Sequence, residues 1–289
     1  MKKMRGLPCA LFTFVLLFLL VPTRGSSESE ENIPIATKWL LDAVGPSGRN
    51  AVQYVFLIYG RKTQVKGTGF QIETGHIVTN EHVVRGNEPS QINVTSSYGK
   101  RIRIKRCITD GPRDLAILEP EKVVSGGFHL GESKALKVGI SVSTWGHPYG
   151  YNGPAPLLTV GYLSGFVSYI DEKEKRPIKH LVVNSAFNPG NSGGPLFAYQ
   201  DDKVIGIVVS KYTLVDPFIQ SVIKALSTPP GGVGGYVVID GEGNKETLLE
   251  PELVARVLER FRQLAQVVIG EAIDVSELKA LLKEKGIHK

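Results

Sequence analysis

The sequence predicts an all-β protein with helices at both ends of the mature chain. Between residues 52 and 239, many short runs rich in β-branched and aromatic residues are separated by Gly, Asn and Pro. This region shows no long stretch with the 3.6-residue periodicity of an amphipathic helix, whereas helical periodicity begins after residue 244. Strands at such spacing favour a β-sandwich or a system of β-barrels.

The first 25 residues have the layout of a secretory signal peptide. Lys2, Lys3 and Arg5 precede an apolar run from Leu7 to Val21, and a polar stretch follows. The apolar run is short for a membrane span, which needs about 20 residues. A cleaved signal peptide is the preferred interpretation, and an uncleaved anchor and a buried core helix are the alternatives. We therefore expect an extracytoplasmic protein, periplasmic or secreted, that meets the membrane only through a retained N-terminal segment.

Removal of this segment changes the net charge and the cysteine count. The whole sequence carries 34 Lys and Arg against 28 Asp and Glu, a net charge of +6. Residues 1–25 hold four basic residues and no acidic one, so the remaining chain has 30 basic residues and a charge of +2. This removes most of the case for a nucleic-acid binder. Cys107 is the one cysteine left, which excludes an intrachain disulfide.

The elements of the mature chain follow from local patterns. Residues 26–33 are acidic and predict a flexible leader, and Pro34 to Ala43 predicts a short helix that Gly45 to Gly48 would end. Residues 34–245 form the predicted β domain, and 246–289 a helical extension with helices over 251–268 and from about Ser276. The predicted strands cover residues 52–59, 67–72, 75–79, 92–95, 101–108, 115–119, 141–145, 158–160, 180–183, 203–210 and 235–239.

One segment carries the strongest chemical signal. Ser192 lies among glycines in the run Asn-Pro-Gly-Asn-Ser-Gly-Gly-Pro over residues 188–195. A serine on such a turn projects its hydroxyl into open space and leaves nearby backbone N–H groups to face a negative oxygen. Considered alone, the pattern also fits an ordinary glycine-rich turn.

Two other segments supply the partners that a serine nucleophile needs. His82 follows a predicted strand, and Asp114 begins the apolar strand Leu-Ala-Ile-Leu. A hydroxyl is a weak nucleophile until an imidazole takes its proton, and a carboxylate must orient that imidazole. Asp110 competes with Asp114, but only Asp114 leads directly into the strand. The remaining histidines, His76, His129, His147, His180 and His288, lack this context, and no Cys/His spacing predicts a metal site.

These segments together resemble the chymotrypsin-fold serine endopeptidases, most closely the HtrA/Deg-type bacterial proteases. The resemblance rests on Gly-Thr-Gly-Phe at 67–70, the His82 and Asp114 segments, Ser-Thr-Trp-Gly-His-Pro-Tyr-Gly at 143–150, Leu-Thr-Val-Gly-Tyr-Leu-Ser-Gly at 158–165, and the Ser192 turn. It covers about residues 52–239. It implies two antiparallel β-barrels, with His82 and Asp114 on the first, Ser192 on the second, and a polypeptide substrate between them.

The resemblance also implies a role for each site residue. Ser192 is the nucleophile, His82 the general base and then acid, and Asp114 its orienting carboxylate, while the N–H groups of Gly190 and Ser192 form the oxyanion hole. No cofactor is implied.

Substrate specificity is expected to come from Ala186, Phe187, Val209, Ser210 and Lys211. Because no carboxylate lies at Ala186, where the family has the floor of its pocket, we expect cleavage after small to medium apolar residues. Lys211 leaves this preference open.

Three departures from the family limit the inference. Asn191 replaces the Asp that pairs with a new amino terminus in digestive relatives, so control by loop ordering is expected instead. Val209 stands where relatives commonly carry Ser or Thr that supports the triad carboxylate. Only 50 residues follow Ile239, too few for a PDZ domain, so PDZ control and a trimer do not follow from the resemblance, and homo-oligomerisation is left open.

The expected function is protein quality control by an endopeptidase, and the alternative is a protease-fold chaperone with little turnover.

Overall fold

The computed structural model describes residues 33–171, 173–198, 203–209, 221–222, 225, 236–239, 245–264 and 269–288. The predicted signal peptide and nearly all of the acidic leader lie outside these residues. Among the described helices, none combines the length and the apolar character needed to cross a membrane.

Two antiparallel sheets and a small hairpin account for the strands of the described chain. The helices are α1 (Ile35–Ala43), α2 (Pro46–Tyr54), α3 (Glu81–Val84), α4 (Glu250–Leu264) and α5 (Val275–Glu284). The strands are β1 (Val55–Gly60), β2 (Lys66–Gln71), β3 (Ile77–Thr79), β4 (Ile92–Ser96), β5 (Arg101–Ile102), β6 (Ile104–Asp110), β7 (Leu115–Pro120), β8 (Ser141–Gly146), β9 (Leu157–Ile170), β10 (Pro177–Asn184), β11 (Pro195–Ala198), β12 (Val204–Val209), β13 (Tyr236–Ile239), β14 (Lys245–Leu248) and β15 (Gly270–Asp274).

The first sheet has the strand order β5-β4-β1-β2-β3-β7-β6. Its inner face is lined by fully buried aliphatic and aromatic side chains, among them Phe56, Ile58, Ile77, Val94 and Leu118. The sheet is barrel-like, and it carries α3 between β3 and β4.

The second sheet closes into a six-stranded barrel in the order β10-β15-β12-β11-β8-β9. Leu163, Leu181, Val183, Leu196 and Val208 fill its interior. The prediction of an all-β fold with two barrels is confirmed.

A third apolar cluster joins the two sheets. Phe70 and Ile117 come from the first sheet, Phe197 and Ile207 from the second, and Leu278 from α5. The ring centroids of Phe128 and Phe197 lie 5.0 Å apart with an edge-to-face geometry. Side chains from both sheets therefore share one core, which fixes the loops at their boundary.

The N-terminal helical region differs from the prediction. One helix was expected to end at Gly45–Gly48 and a strand to begin at Val52, but Pro46–Tyr54 forms a second helix before β1. Proline is well suited to the first turn of a helix because it lacks an N–H, and an N–H at that position would have no partner within the helix. Gly48 is buried against Val44, so close packing between the helices accounts for this glycine.

The C-terminal region also differs from the prediction of a purely helical extension. Two helices are present, but β15 lies between them and pairs with both β10 and β12, so this region closes the second barrel. The predicted strand at 235–239 pairs with β14 in a separate hairpin instead. Barrel closure is a long-range interaction, and the helical periodicity on both sides concealed the five-residue strand.

Candidate active site

His82 and Asp114 meet at the edge of the first sheet. The His82 Nδ1 atom lies 2.8 Å from Oδ2 and 3.1 Å from Oδ1 of Asp114, and the His82 backbone N–H donates to Oδ1 at 2.9 Å. Because an ionised carboxylate only accepts hydrogen bonds, Nδ1 carries the proton in this contact and Nε2 keeps its lone pair. Both side chains are partly exposed. The imidazole is therefore oriented to accept a proton at Nε2.

Asp114 adopts a backbone conformation that most residues avoid. Its φ angle is +53°, in the left-handed region that Asp tolerates better than most non-glycine residues. Its carbonyl oxygen accepts from Asn80 Nδ2 at 2.9 Å and from the Glu81 backbone N–H at 3.2 Å. Asp114 is thus attached to the start of α3 by its backbone as well as by its carboxylate.

The structure distinguishes Asp114 from its competitor Asp110. The Asp110 carboxylate accepts from the backbone N–H of Arg113 at 3.0 Å and from Arg113 Nη1 at 2.7 Å. It is therefore engaged by an arginine, whereas the Asp114 carboxylate is engaged by His82.

Ser192 lies in a tight, buried turn between β10 and β11. The Asn191 N–H donates to Asn188 O at 3.0 Å, and the Gly194 N–H donates to Asn191 O at 2.9 Å. Gly193 has a φ of +86°, and a Cβ atom there would lie 2.2 Å from the carbonyl oxygen of Thr68. Only glycine fits at this position, because both the backbone angle and the available space exclude a side chain.

The Ser192 turn packs directly against the segment that carries His82. The Thr68 N–H donates to Ser192 O at 2.8 Å, which joins β2 of the first sheet to the turn. The Cβ position of Gly193 lies 3.0 Å from the backbone nitrogen of Asn80, two residues before His82. The three residues that the sequence predicted as a triad are therefore brought to one place, where the two sheets meet.

A neighbouring loop sets the direction of the Gly190 N–H group. The Tyr149 N–H donates to Pro189 O at 2.7 Å, and all described peptide bonds are trans. In a trans peptide the N–H points away from the C=O, so the Gly190 N–H points away from the Tyr149 loop. Gly190 itself has a φ of +96°.

Thr68 holds the other side of the same turn. Its hydroxyl donates to Gly190 O at 2.7 Å and accepts from the His147 backbone N–H at 2.9 Å. Thr68 is fully buried. The sequence placed Thr68 in a recognisable motif but gave it no role, because its two partners lie about 80 and 120 residues further along the chain.

Lys66 and His147 lie at the loop that contains Pro148, Tyr149 and Tyr151. Lys66 Nζ donates to Pro148 O at 3.0 Å and to Tyr151 O at 2.8 Å. His147 is buried, and its Nε2 atom has no hydrogen-bond partner in the described part of the chain. Burial, with a smaller effect of the Lys66 charge, lowers the pKa of His147 to about 3. His147 is therefore a neutral, structural residue near neutral pH.

Comparison with known proteins agrees with this geometry. Residues 67–207 match the family of the trypsin-like peptidase domain. This region is similar to a trypsin-like peptidase domain. A probable periplasmic serine endoprotease DegP-like from Halomonas elongata is 37% identical over 144 residues, which cover 49% of this chain and 28% of the relative. Protease Do-like 1, chloroplastic, from Arabidopsis thaliana is 35% identical over 179 residues, covering 60% and 39%. The chain thus spans about a third of the length of these curated relatives.

Solved structures support the fold of the peptidase domain. An inactive-form crystal structure of Rv3671c from M. tuberculosis H37Rv has a TM-score of 0.55 and 17% sequence identity, covering 84% of this chain and 92% of that one. A second structure titled Rv3671c protease, inactive form, has a TM-score of 0.53 and 19% identity, covering 83% and 92%. At such identities the likeness concerns the fold alone.

The predicted specificity residues of the peptidase domain have different environments. Ala186 is exposed, whereas Phe187 is half-buried. The ring of Phe187 packs against Gly270 on β15, a strand that was not predicted from the sequence. Val209 is buried on β12 opposite Glu271. The neighbouring carboxylate of Glu271 accepts from the Tyr169 hydroxyl at 2.8 Å. Ser210 and Lys211 lie outside the described residues.

Proposed function

We propose that the chain is a serine endopeptidase that hydrolyses peptide bonds through Ser192, His82 and Asp114. The single observation that carries this proposal is the contact of both Asp114 carboxylate oxygens with His82 Nδ1, beside a buried glycine-flanked Ser192 turn. The match to the trypsin-like peptidase domain and the DegP-like serine endoproteases supports it.

The reaction follows from the chemistry of these groups. The Ser192 hydroxyl oxygen attacks the carbonyl carbon of the peptide bond while His82 Nε2 takes its proton, and Asp114 stabilises the imidazolium. The N–H groups of Gly190 and Ser192 bind the oxyanion of the tetrahedral intermediate, where each donor contributes about 3 kcal/mol of transition-state stabilisation. His82 then protonates the leaving amine, and water, activated by the same imidazole, hydrolyses the acyl-enzyme.

The substrate preference follows from the surroundings of the turn. Ala186, Phe187 and Val209 are uncharged, and the Glu271 carboxylate opposite Val209 is engaged by the Tyr169 hydroxyl. The ring of Phe187 lies against the bare backbone of Gly270. We infer cleavage after small to medium apolar residues of polypeptides, with unfolded proteins as the natural class. A library of peptides varied at the residue before the cut tests this, and a profile dominated by Arg or Lys would contradict it.

We infer an extracytoplasmic location. The signal-like N-terminal sequence supports it, and several relatives are named as periplasmic serine endoproteases. Cell fractionation together with N-terminal sequencing of the purified chain tests this inference. A protein found in the cytoplasmic fraction with Met1 intact would contradict it.

Digestion of casein by the full chain tests the proposed activity. The parent should degrade casein, and Ser192→Ala and His82→Ala should not, because each removes a reacting group. Ser164→Ala, which changes an exposed serine on β9, is the matched control and should retain parental activity. Equal, near-zero digestion by folded parent and Ser192→Ala would refute the endopeptidase and favour a chaperone with the same fold.

A further inference from the structure

Arg113, the residue immediately before Asp114, is a buried cation surrounded by carboxylates. Its side chain is only 4% exposed. Nη1 donates to Asp110 at 2.7 Å and to Glu284 at 2.8 Å, and Nη2 donates to the second oxygen of Glu284 at 2.5 Å. Nε lies 3.5 Å from a Glu277 oxygen. A paired contact of guanidinium and carboxylate fixes both position and orientation.

Glu277 and Glu284 both belong to α5, whose first turn is attached to the second barrel. Asp274, the last residue of β15, caps the helix by accepting from the Ser276 N–H at 2.9 Å. Asp274 also accepts from the Ser133 hydroxyl at 2.5 Å. The opposite end of the helix carries Glu284 to Arg113 on the first sheet. Helix α5 therefore connects the barrel of Ser192 to the turn that carries Asp114.

The turn from Asp110 to Asp114 contains a strained backbone conformation, which neighbouring contacts must hold in place. The left-handed backbone of Asp114 costs about 1–2 kcal/mol, and such a conformation persists only where its surroundings hold it. The Asp114 N–H donates to Gly111 O at 3.1 Å, and the Arg113 N–H donates to Asp110. Arg113 is thus held by its backbone within the turn and by its side chain from α5.

Among the described residues, Arg85 is another charged group near the Asp114 carboxylate. At the end of α3, Arg85 donates three side-chain hydrogen bonds to Glu81, so its charge is largely engaged. On α5, the Glu277 carboxylate that lies near Arg113 Nε also accepts a hydrogen bond from Arg176 Nη1 at 2.9 Å. The network around Arg113 therefore extends from α5 to the second barrel through a second arginine.

We propose that Arg113 is a positioning residue, and that the C-terminal helix, through Glu284 and Glu277, holds it so that the next residue, Asp114, keeps its geometry against His82. The inference rests on the proposed function. It makes the C-terminal helix part of the support of the active site, beyond its packing role.

Glu284→Gln is the informative variant, with Glu132→Gln as its matched control. Glu284 is half-exposed, so glutamine is accommodated there while the charge that holds Arg113 is removed. Glu132 pairs with Lys279 of the same helix, so its substitution also removes an ion pair of α5, but one without contact to Arg113. Arg113→Lys is the second variant, since lysine keeps the charge and loses the paired geometry.

Two measurements on the full chain separate positioning from simple stabilisation. The first is NMR of His82, in which the low-field Nδ1–H resonance reports the contact with Asp114. The second is peptide hydrolysis resolved into kcat and KM. Glu284→Gln should weaken the resonance and reduce kcat about tenfold with KM nearly unchanged, because displacement of a reacting group by about 1 Å can cost about 100-fold. Arg113→Lys should show the same changes, and Glu132→Gln should match the parent.

The outcomes distinguish this inference from the proposed function. If Glu284→Gln and Arg113→Lys lower the melting temperature but leave the His82 resonance and kcat as in the control, Arg113 only stabilises the fold and the inference is overturned. If the parent hydrolyses nothing while its His82 resonance still responds to Glu284→Gln, the endopeptidase proposal fails and the positioning role stands.

Discussion

Acid should destabilise this protein through His147, and replacement of His147 by leucine should remove that sensitivity. The imidazole is 1% exposed and its Nε2 atom has no partner in the described part of the chain, so the charged form has no way to be solvated. Leucine has a similar volume and leaves the backbone N–H of residue 147 free to donate to Thr68 Oγ1, as it does at 2.9 Å in the parent.

The magnitude follows from the difference between the folded and unfolded pKa values. Burial lowers the pKa of His147 from 6.5 to about 3 in the folded chain. Below pH 6.5 the unfolded chain binds a proton that the folded chain does not bind until about pH 3, so stability is present above pH 6.5 and falls as the pH falls. The free energy of unfolding should decrease by about 1.4 kcal/mol per pH unit in this window, or about 2 kcal/mol between pH 7 and pH 5.

Urea unfolding, followed by the fluorescence of the buried Trp145, measures this difference. Parent and His147→Leu should both carry Ser192→Ala, which prevents self-digestion. His288→Leu in the same background serves as a control because His288 is exposed. Carboxylates titrate alike in all three proteins, so their effect cancels. Parallel loss of stability in parent and His147→Leu from pH 7 to pH 5 would refute the reasoning.

Three further substitutions test the geometry of the site. Thr68→Val should lower kcat and weaken binding of a peptide boronic acid, because each buried partner left without a hydrogen bond costs about 1–3 kcal/mol; Thr68→Ser should restore both, and failure of rescue would contradict the role of the hydroxyl. Gly193→Ala should prevent folding, measured as soluble yield and melting temperature, whereas Gly99→Ala, with a φ of +77° and open space around it, should cost only about 1–2 kcal/mol; equal effects would disprove the steric argument. Asp114→Asn should reduce kcat about 10⁴-fold in peptide hydrolysis with the fold retained, and an unchanged kcat would exclude Asp114 as the orienting group.

Local sequence patterns were sufficient for most strands and for the choice of the candidate site residues. Strands such as β2, β7 and β8 are short, and their observed bounds differ from the predicted bounds by about a residue. The His82, Asp114 and Ser192 segments were each recognisable because a nucleophile, a base and an orienting carboxylate need distinct residue types.

Features that depend on distant contacts were not predictable. β15 was missed because its partners, β10 and β12, are far away in sequence and the helices on both sides dominate the local pattern. β9 was predicted to be short, yet it continues to Ile170 with several exposed apolar side chains that break the expected alternation. No local sequence pattern indicated the contact of Arg113 with the C-terminal helix, since its partner Glu284 lies 171 residues further along the chain.

The most direct test of the central claim is to map a fluorophosphonate adduct on the full chain by mass spectrometry. A phosphonyl group should attach to the Ser192 hydroxyl, because the proposed mechanism assigns His82 to take the proton of this serine. His82→Ala, kept folded, should show no adduct. An adduct on another residue, or none on folded parent protein at neutral pH, would contradict the assignment of Ser192 as the nucleophile.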